Sequence, residues 1–337
     1  SPPVTSGSTR AILRVMPKTI ALVLVTMLLL TACGGSGSTS PKPAAIASAT
    51  IAETSPVASS RPPATPGAST HTLRHGALER SYRLYVPAAV AASGAKVPLV
   101  VALHGGLGTP EQFAAASRFE SLADAEHFIV VFPAGVERTW NGGACCRPAS
   151  ALRVDDTGFL AALIEQLQAA LPIDSGRVLV TGHSNGAIMA FRLACERPDV
   201  VDAVVPVAGS IEVDRCQPSR SVPLLDIHGD ADRNHPLEGG QGDRSVANVD
   251  FRSTAATMAA WSAAMGCAEP PLTRTEGALT TSAWQGCRDG VRTELLVIAG
   301  ADHPWPGGAS IGVSGGRPSQ ALDASAAAYR FLLDVTK

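Results

Sequence analysis

Residues 177–197 constrain this chain more than any other stretch. Val178 to Val180 form an aliphatic run that suits a strand buried on both faces. Gly182-His183-Ser184-Asn185-Gly186 follows with the spacing G-x-S-x-G. Ala187, Ile188, Phe191 and Cys195 then recur at three- and four-residue steps, as one face of a helix does. A strand that turns this sharply into a helix leaves no room for side chains beside the serine, which accounts for the flanking glycines. The turn also sets Ser184 at a helix N-terminus, where unpaired N–H groups and the dipole favour developing negative charge. The five-residue pattern alone is weak, since a chance match is expected in roughly one such chain in four. Gly312-Val313-Ser314-Gly315-Gly316 fits equally well, but no strand precedes it and no helix directly follows. Context selects Ser184.

With 337 residues, 45% of them hydrophobic, the chain can bury a large core, and its formal charge of −2 leaves no basic footprint for nucleic acid. Its N-terminus reads as a targeting segment. Arg10, Arg14 and Lys18 precede the apolar run from Thr19 to Leu30, which is too short to span a membrane comfortably. Residues 1–32 are therefore expected to be a signal peptide, with Met16 opening a complete signal by itself. Leu30-Thr31-Ala32-Cys33 resembles the bacterial lipobox, which implies cleavage before Cys33, acylation of its thiol and a lipid-anchored protein at the cell surface. Residues 33–72 are rich in Ser, Pro, Ala and Thr and cannot bury enough apolar surface to offset their ordering entropy, so they read as a disordered tether. One α/β domain is expected over residues 73–337.

Setting Cys33 aside leaves Cys145, Cys146, Cys195, Cys216, Cys267 and Cys287, an even set suited to an oxidising compartment. Cys267–Cys287 is the favoured pair, spanning a local hairpin-like excursion. Cys145 and Cys146 are adjacent, and each is expected to seek Cys195 or Cys216 instead of the other. No C-x-x-C and no matching histidine pair suggests a metal site, and no cofactor is implied.

Arg80 to Val86 alternates polar and apolar residues up to Pro87, as a half-exposed edge strand would. Residues 98–103, 128–132, 177–181, 203–207, 224–227 and 294–298 read as further strands. Helical patterns cover 110–126, 156–171 with Asp156 as its cap, 253–265 and 321–334. Strands alternating with helices mean a mostly parallel sheet covered on both faces, with chemistry at the carboxyl ends of the strands. His104-Gly105-Gly106, Ser184, the Asp230/Asp232 pair and His303 all fall at such ends. The order Ser, acid, His is that of an α/β-hydrolase.

A serine hydroxyl needs a base, and the base needs an orienting carboxylate. His303, just beyond the last strand, is where the base belongs. Asp232 is preferred over Asp230, which suits a turn cap, although spacing separates them poorly; Asp226 sits inside its strand, where a packing or hydrogen-bonding role is expected. The amide of Asn185, with one from Gly106 or Leu107, would form the oxyanion hole. His104 and His183 flank the site as neighbours that shape the pocket. Trp140 and Trp305 are candidates to line an aromatic-accepting groove or to brace it.

The combination of His104-Gly105-Gly106, Trp140-Asn141-Gly142-Gly143 before Cys145-Cys146, and Val154-Asp155-Asp156 is distinctive. So are Gly182 to Gly186, His228-Gly229 with Asp232, Leu237-Glu238-Gly239-Gly240 and His303-Pro304-Trp305-Pro306-Gly307. Together they resemble the secreted polyhydroxybutyrate depolymerase and feruloyl esterase group of carbohydrate esterase family 1 type, from about residue 75 onward. The resemblance implies Ser184, Asp232 and His303 as the triad. That group commonly carries Leu where this chain has His183, and its acid loop is more apolar than Arg233-Asn234-His235-Pro236. These departures tilt the expected substrates toward hydroxycinnamoyl or acetyl sugar esters and hydroxyalkanoate oligomers. Acyl transfer to a sugar, as in mycolyltransferases, and a non-catalytic surface lipoprotein are the competing readings.

Overall fold

A computed structural model describes residues 65–310 and 316–336. The signal segment, Cys33, the tether as far as residue 64 and the Ser314 copy of the elbow pattern lie outside them. The described chain opens with β1 (Gly67–His75), β2 (Leu78–Val86) and α1 (Ala88–Ser93). Then come β3 (Val97–Leu103), α2 (Pro110–Ser117), α3 (Phe119–Glu126), β4 (Ile129–Pro133) and α4 (Asp156–Ala170). β5 (Ile173–His183), α5 (Asn185–Glu196), β6 (Ala203–Val207) and β7 (Leu224–Gly229) follow. The last elements are α6 (Thr254–Met265), β8 (Ala268–Glu276), β9 (Leu279–Gln285), β10 (Thr293–Ile298) and α7 (Ala324–Val335).

One ten-stranded sheet has the order β1-β2-β4-β3-β5-β6-β7-β10-β9-β8. Strands β4, β3, β5, β6, β7 and β10 run parallel, while β1, β2 and β9, β8 add antiparallel edges. Every residue of β3, β4 and β6 is buried, which is why these strands are written as unbroken apolar runs. Alternation then divides each strand between two cores. Leu99, Val101 and Val180 face α4, α5 and α6 through Phe159, Phe191 and Trp261. Val100, Ala102 and Leu179 face α2, α3 and α7 through Phe113, Phe119 and Tyr329. Each fully buried Val, Leu or Phe among them contributes about 1.5–3 kcal/mol relative to exposure.

Several expectations are corrected. β2 is not the edge, because β1 pairs along it from Gly67↔Val86 to His75↔Leu78. Residues 67–72, assigned to the tether, are therefore strand, and the domain starts before residue 73. Thr70 and Thr72 face solvent while Ser69 and His71 are half-buried, and the Ser and Thr continue the composition of the tether, which hides the signal. The helical pattern over 110–126 breaks at Arg118, whose φ of 59° ends α2 and starts α3. The cap of α4 is Asp155, whose side chain accepts from Gly158 N at 2.9 Å. Asp156 is buried beneath it, bonded to Arg80 at 2.7 Å and accepting from Asn141 N at 2.8 Å.

The disulfides are Cys145–Cys146, Cys195–Cys216 and Cys267–Cys287. Cys145 and Cys146 thus pair with each other and not with Cys195 or Cys216. Cys195 at the end of α5 and Cys216 after β6 lie with Cα atoms 4.9 Å apart and satisfy one another. Cys145 and Cys146 are buried instead against Ile188 and Phe251. The Cys267–Cys287 bond closes the base of the β8–β9 hairpin, of which β8 is largely exposed and β9 half-buried.

Candidate active site

Ser184 is the single residue between β5 and α5, at φ 55° and ψ −119°. A non-glycine residue held at such a positive φ costs about 1–3 kcal/mol and persists only where its surroundings over-determine it. Here the Ser184 N–H donates to Val207 O at 2.9 Å, and Ser184 O accepts from Ile188 N at 3.0 Å. The flanking glycines are sterically required. A Cβ on Gly182 would lie 2.4 Å from Gly186 O, and one on Gly186 would lie 2.3 Å from Leu103 O.

β7 and β10 are parallel neighbours ending together at Gly229↔Ile298, so the loops after them meet. Asp232 and His303 sit in those loops, with His303 Nδ1 2.7 Å from Asp232 Oδ2. The other Asp232 oxygen accepts from Asn234 N and His235 N, both at 2.8 Å. Burial pushes the Asp232 carboxyl up, but the charge and hydrogen bond of His303, with help from His228 and the His235 amide, hold it at about 2. Asp230 does something else: its Oδ1 accepts from Gly300 N at 2.6 Å and splices the two loops together. Asp226 is buried inside β7, where burial pushes its carboxyl well above the usual range.

His228 and His235 bracket Asp232. His228 Nε2 donates to His235 O at 2.8 Å, and its Nδ1 faces the Thr254 hydroxyl at 3.2 Å. His104 donates from Nδ1 to Gly105 O at 2.8 Å and accepts at Nε2 from Gly135 N at 3.0 Å. Those partners require a neutral ring, and burial accordingly pulls its pKa down to about 4. Trp140 is fully buried and lies outside the pocket lining, so it braces the site and does not line a groove. Its indole N–H donates to His104 O at 2.9 Å, and the Asn185 side chain brackets its backbone at 2.8 and 3.0 Å.

Of the oxyanion candidates, Leu107 is corrected. Its N–H donates to Arg138 O at 2.8 Å, and the Arg138 guanidinium holds the Leu107 carbonyl. The Gly106 N–H has no acceptor among the described residues. Asn185 opens α5, where the first N–H groups lack intrahelical partners.

A family profile described as Esterase PHB depolymerase matches residues 80–259. The chain belongs to that family. A similar protein is NocK of Nocardia uniformis subsp. tsuyamanensis, provisionally named an esterase, 29% identical over 85% of this chain and 89% of its own. Feruloyl esterase B of Piromyces equi is 26% identical over 61% of this chain and 39% of its own. Poly(3-hydroxyalkanoate) depolymerase C of Paucimonas lemoignei is 33% identical over 34% of this chain and 28% of its own. The chain thus spans less than half the length of these last two relatives. Among solved structures, acetyl xylan esterase from Aspergillus awamori shares the fold, with a TM-score of 0.52 and 16% identity over 70% of this chain and 94% of that one. This member of the esterase PHB depolymerase family is a carboxylic ester hydrolase with the α/β-hydrolase fold.

The esterase has a cavity of about 400 Å³ whose wall includes Ser184, Asn185, Gly106, His303, His183 and Trp305. Trp305 is wall and brace at once, since its N–H donates to Ser325 Oγ at 3.1 Å and its ring stands edge-on to Phe113 at 5.1 Å. His183 lies almost wholly buried under the base. Its Nε2 donates to His303 O at 2.7 Å, and the two rings are 4.7 Å apart. Burial, then the neighbouring His303 charge, pull His183 down to about 3, so it is a fixed neutral donor. His183→Leu removes that donor and strands a buried carbonyl, which costs about 1–3 kcal/mol. The expected outcome is a kcat on p-nitrophenyl acetate lower by about tenfold, largely restored by His183→Gln. An unchanged kcat in the leucine variant would remove the positioning role. Sequence reasoning missed Arg147, Arg244 and Phe251 in this wall, because they come from loops with no periodic pattern.

Proposed function

We propose that the chain is an exported serine esterase that works through an acyl-enzyme. The observation that carries this reading is Ser184 on a strained elbow, sharing one cavity with a histidine whose Nδ1 is 2.7 Å from a buried carboxylate. Asp232 keeps the proton of His303 on Nδ1, which leaves Nε2 as the base. Nε2 takes the Ser184 hydroxyl proton while Oγ attacks the ester carbonyl carbon. The N–H groups of Asn185 and Gly106 donate hydrogen bonds to the carbonyl oxygen as negative charge develops on it, each contributing about 10²–10³ in rate. The tetrahedral adduct collapses as the C–O bond to the alcohol breaks, and His303 returns its proton to the departing oxygen. Water, deprotonated by the same Nε2, then releases the acid from Ser184.

Hydroxycinnamoyl or acetyl sugar esters and hydroxyalkanoate oligomers are the substrates this reading favours, on the strength of what the relatives are named for. Labelling with a fluorophosphonate followed by peptide mass spectrometry tests the nucleophile. The adduct is expected on the peptide carrying Ser184; an adduct on Ser314 would overturn the assignment. Export is supported by three disulfides, which persist in oxidising compartments. Lipid attachment at Cys33 rests on Leu30-Thr31-Ala32-Cys33 alone. Metabolic labelling with radioactive palmitate should mark the protein and be lost in Cys33→Ala, and equal labelling of both would refute the anchor.

A further inference from the structure

One side of the cavity is built differently from the rest. Cys146, Ile188, Ala247 and Phe251 line it, and Cys145, Cys146, Ile188 and Phe251 form a hydrophobic cluster separate from the two main cores. Ile188 lies one helical turn beyond Ser184, so this apolar wall stands directly beside the proposed nucleophile. At its lip is Arg147, the residue that follows the disulfide.

Two arginines, Arg147 and Arg244, line the cavity, and a third, Arg138, sits behind the lining residue Leu107; they are not equivalent. Arg138 is occupied with the Leu107 carbonyl, and Arg244 is paired with Asp302 at 2.8 Å. Arg147 is exposed, lines the cavity, and makes no ion pair or hydrogen bond to another described residue. Among the described residues lining the cavity there is no Asp or Glu to neutralise it. An exposed arginine is ordinarily a solvated surface charge. Here its backbone is held in place: Cys146 N donates to Trp140 O at 3.3 Å, Ser150 N to Cys146 O at 3.0 Å and Leu152 N to Pro148 O at 3.0 Å. A planar guanidinium delivered from such a fixed segment suits bidentate pairing with a carboxylate.

We propose that this wall and Arg147 form a subsite for esters with an apolar body and a free carboxylate at the far end. The proposal rests on Ser184 being the nucleophile and narrows the substrates that it accepts. Two sources share the chemistry: half-esters of dicarboxylic acids, and hydroxyacid oligomers that end in a free acid.

The test compares kcat/KM for monoethyl adipate against diethyl adipate, and for a 3-hydroxybutyrate trimer acid against its methyl ester. The wild-type protein, Arg147→Ala, Arg147→Lys and Ser184→Ala are assayed at low salt and at high salt. The wild type should favour the acid over its neutral partner in at least one pair, and the pair in which it does identifies the source. Arg147→Ala should lower that preference about fivefold, as expected for a partly exposed charge pair, while Arg147→Lys, which keeps the charge without the planar fork, retains only part of it. High salt should shrink the preference in the wild type and leave the alanine variant unmoved. The proposal is overturned if the wild type favours the neutral ester in both pairs, or turns over neither acid. It is equally overturned if Arg147→Ala lowers acid and ester alike. Ser184→Ala separates the two ideas: turnover persisting in that variant would overturn the nucleophile and not the subsite.

Discussion

Replacing Ser184 with alanine is expected to reduce kcat/KM on p-nitrophenyl acetate by a factor on the order of 10⁶, the scale on which losing the nucleophile of a serine triad operates. The substitution isolates chemistry from folding unusually well. Ser184 makes no side-chain capping bond to α5, so alanine removes no stabilising contact there. The strained φ of 55° is imposed by the β5–α5 junction and is felt alike by serine and alanine. Thermal unfolding should therefore stay close to that of the parent while turnover disappears. What survives should be the contribution of binding and of the Asn185 and Gly106 amides, about 10³–10⁴ over the uncatalysed rate. A variant retaining more than a few per cent of parental turnover, with matching unfolding, would remove Ser184 from the mechanism.

Asp232→Asn should lower kcat by about 10⁴ with little change in KM, because an amide can no longer hold His303 in the productive tautomer. Asp230→Asn should cost at most a few-fold, since an amide oxygen still accepts the Gly300 N–H. Equal losses in the two variants would reopen the choice between them. The acid arm of stability has the same origin. Asp232 is held at about 2, below the ordinary value near 3.9, so its pairing stabilises the fold above that ordinary value. That contribution is lost as pH falls through about 2. Denaturant midpoints measured from pH 5 down to pH 2 should fall less steeply in Asp232→Asn than in the parent, and parallel curves would contradict the linkage.

The parts of the site legible from residues alone are those dictated by local rules. A buried strand, two obligatory small residues and an amphipathic helix select Ser184, because backbone sterics at the elbow act over only five positions. Continuous apolar runs mark the central strands, and the residues immediately after them mark one edge of the sheet. β1 was hidden by composition, since a strand facing solvent on its outer side carries Ser and Thr as a tether does. Cys145 and Cys146 misled for a different reason: adjacency in sequence argued against their bond, while the partners that adjacency favoured were already joined to each other.

By itself, then, the sequence determined the elbow, the alternation of strands and helices, and the order in which serine, acid and histidine arrive. Each of these depends on neighbours within a few residues along the chain. Only the tertiary structure decided that Asp232 faces His303 while Asp230 ties down Gly300, that Leu107 donates to Arg138 while the Gly106 N–H has no acceptor among the described residues, and that Trp140 is a brace. Those outcomes depend on the register of β7 against β10 and on which loops meet above the sheet, over separations of 31 to 71 residues. No periodicity along the chain encodes such meetings. They follow from packing the whole sheet at once.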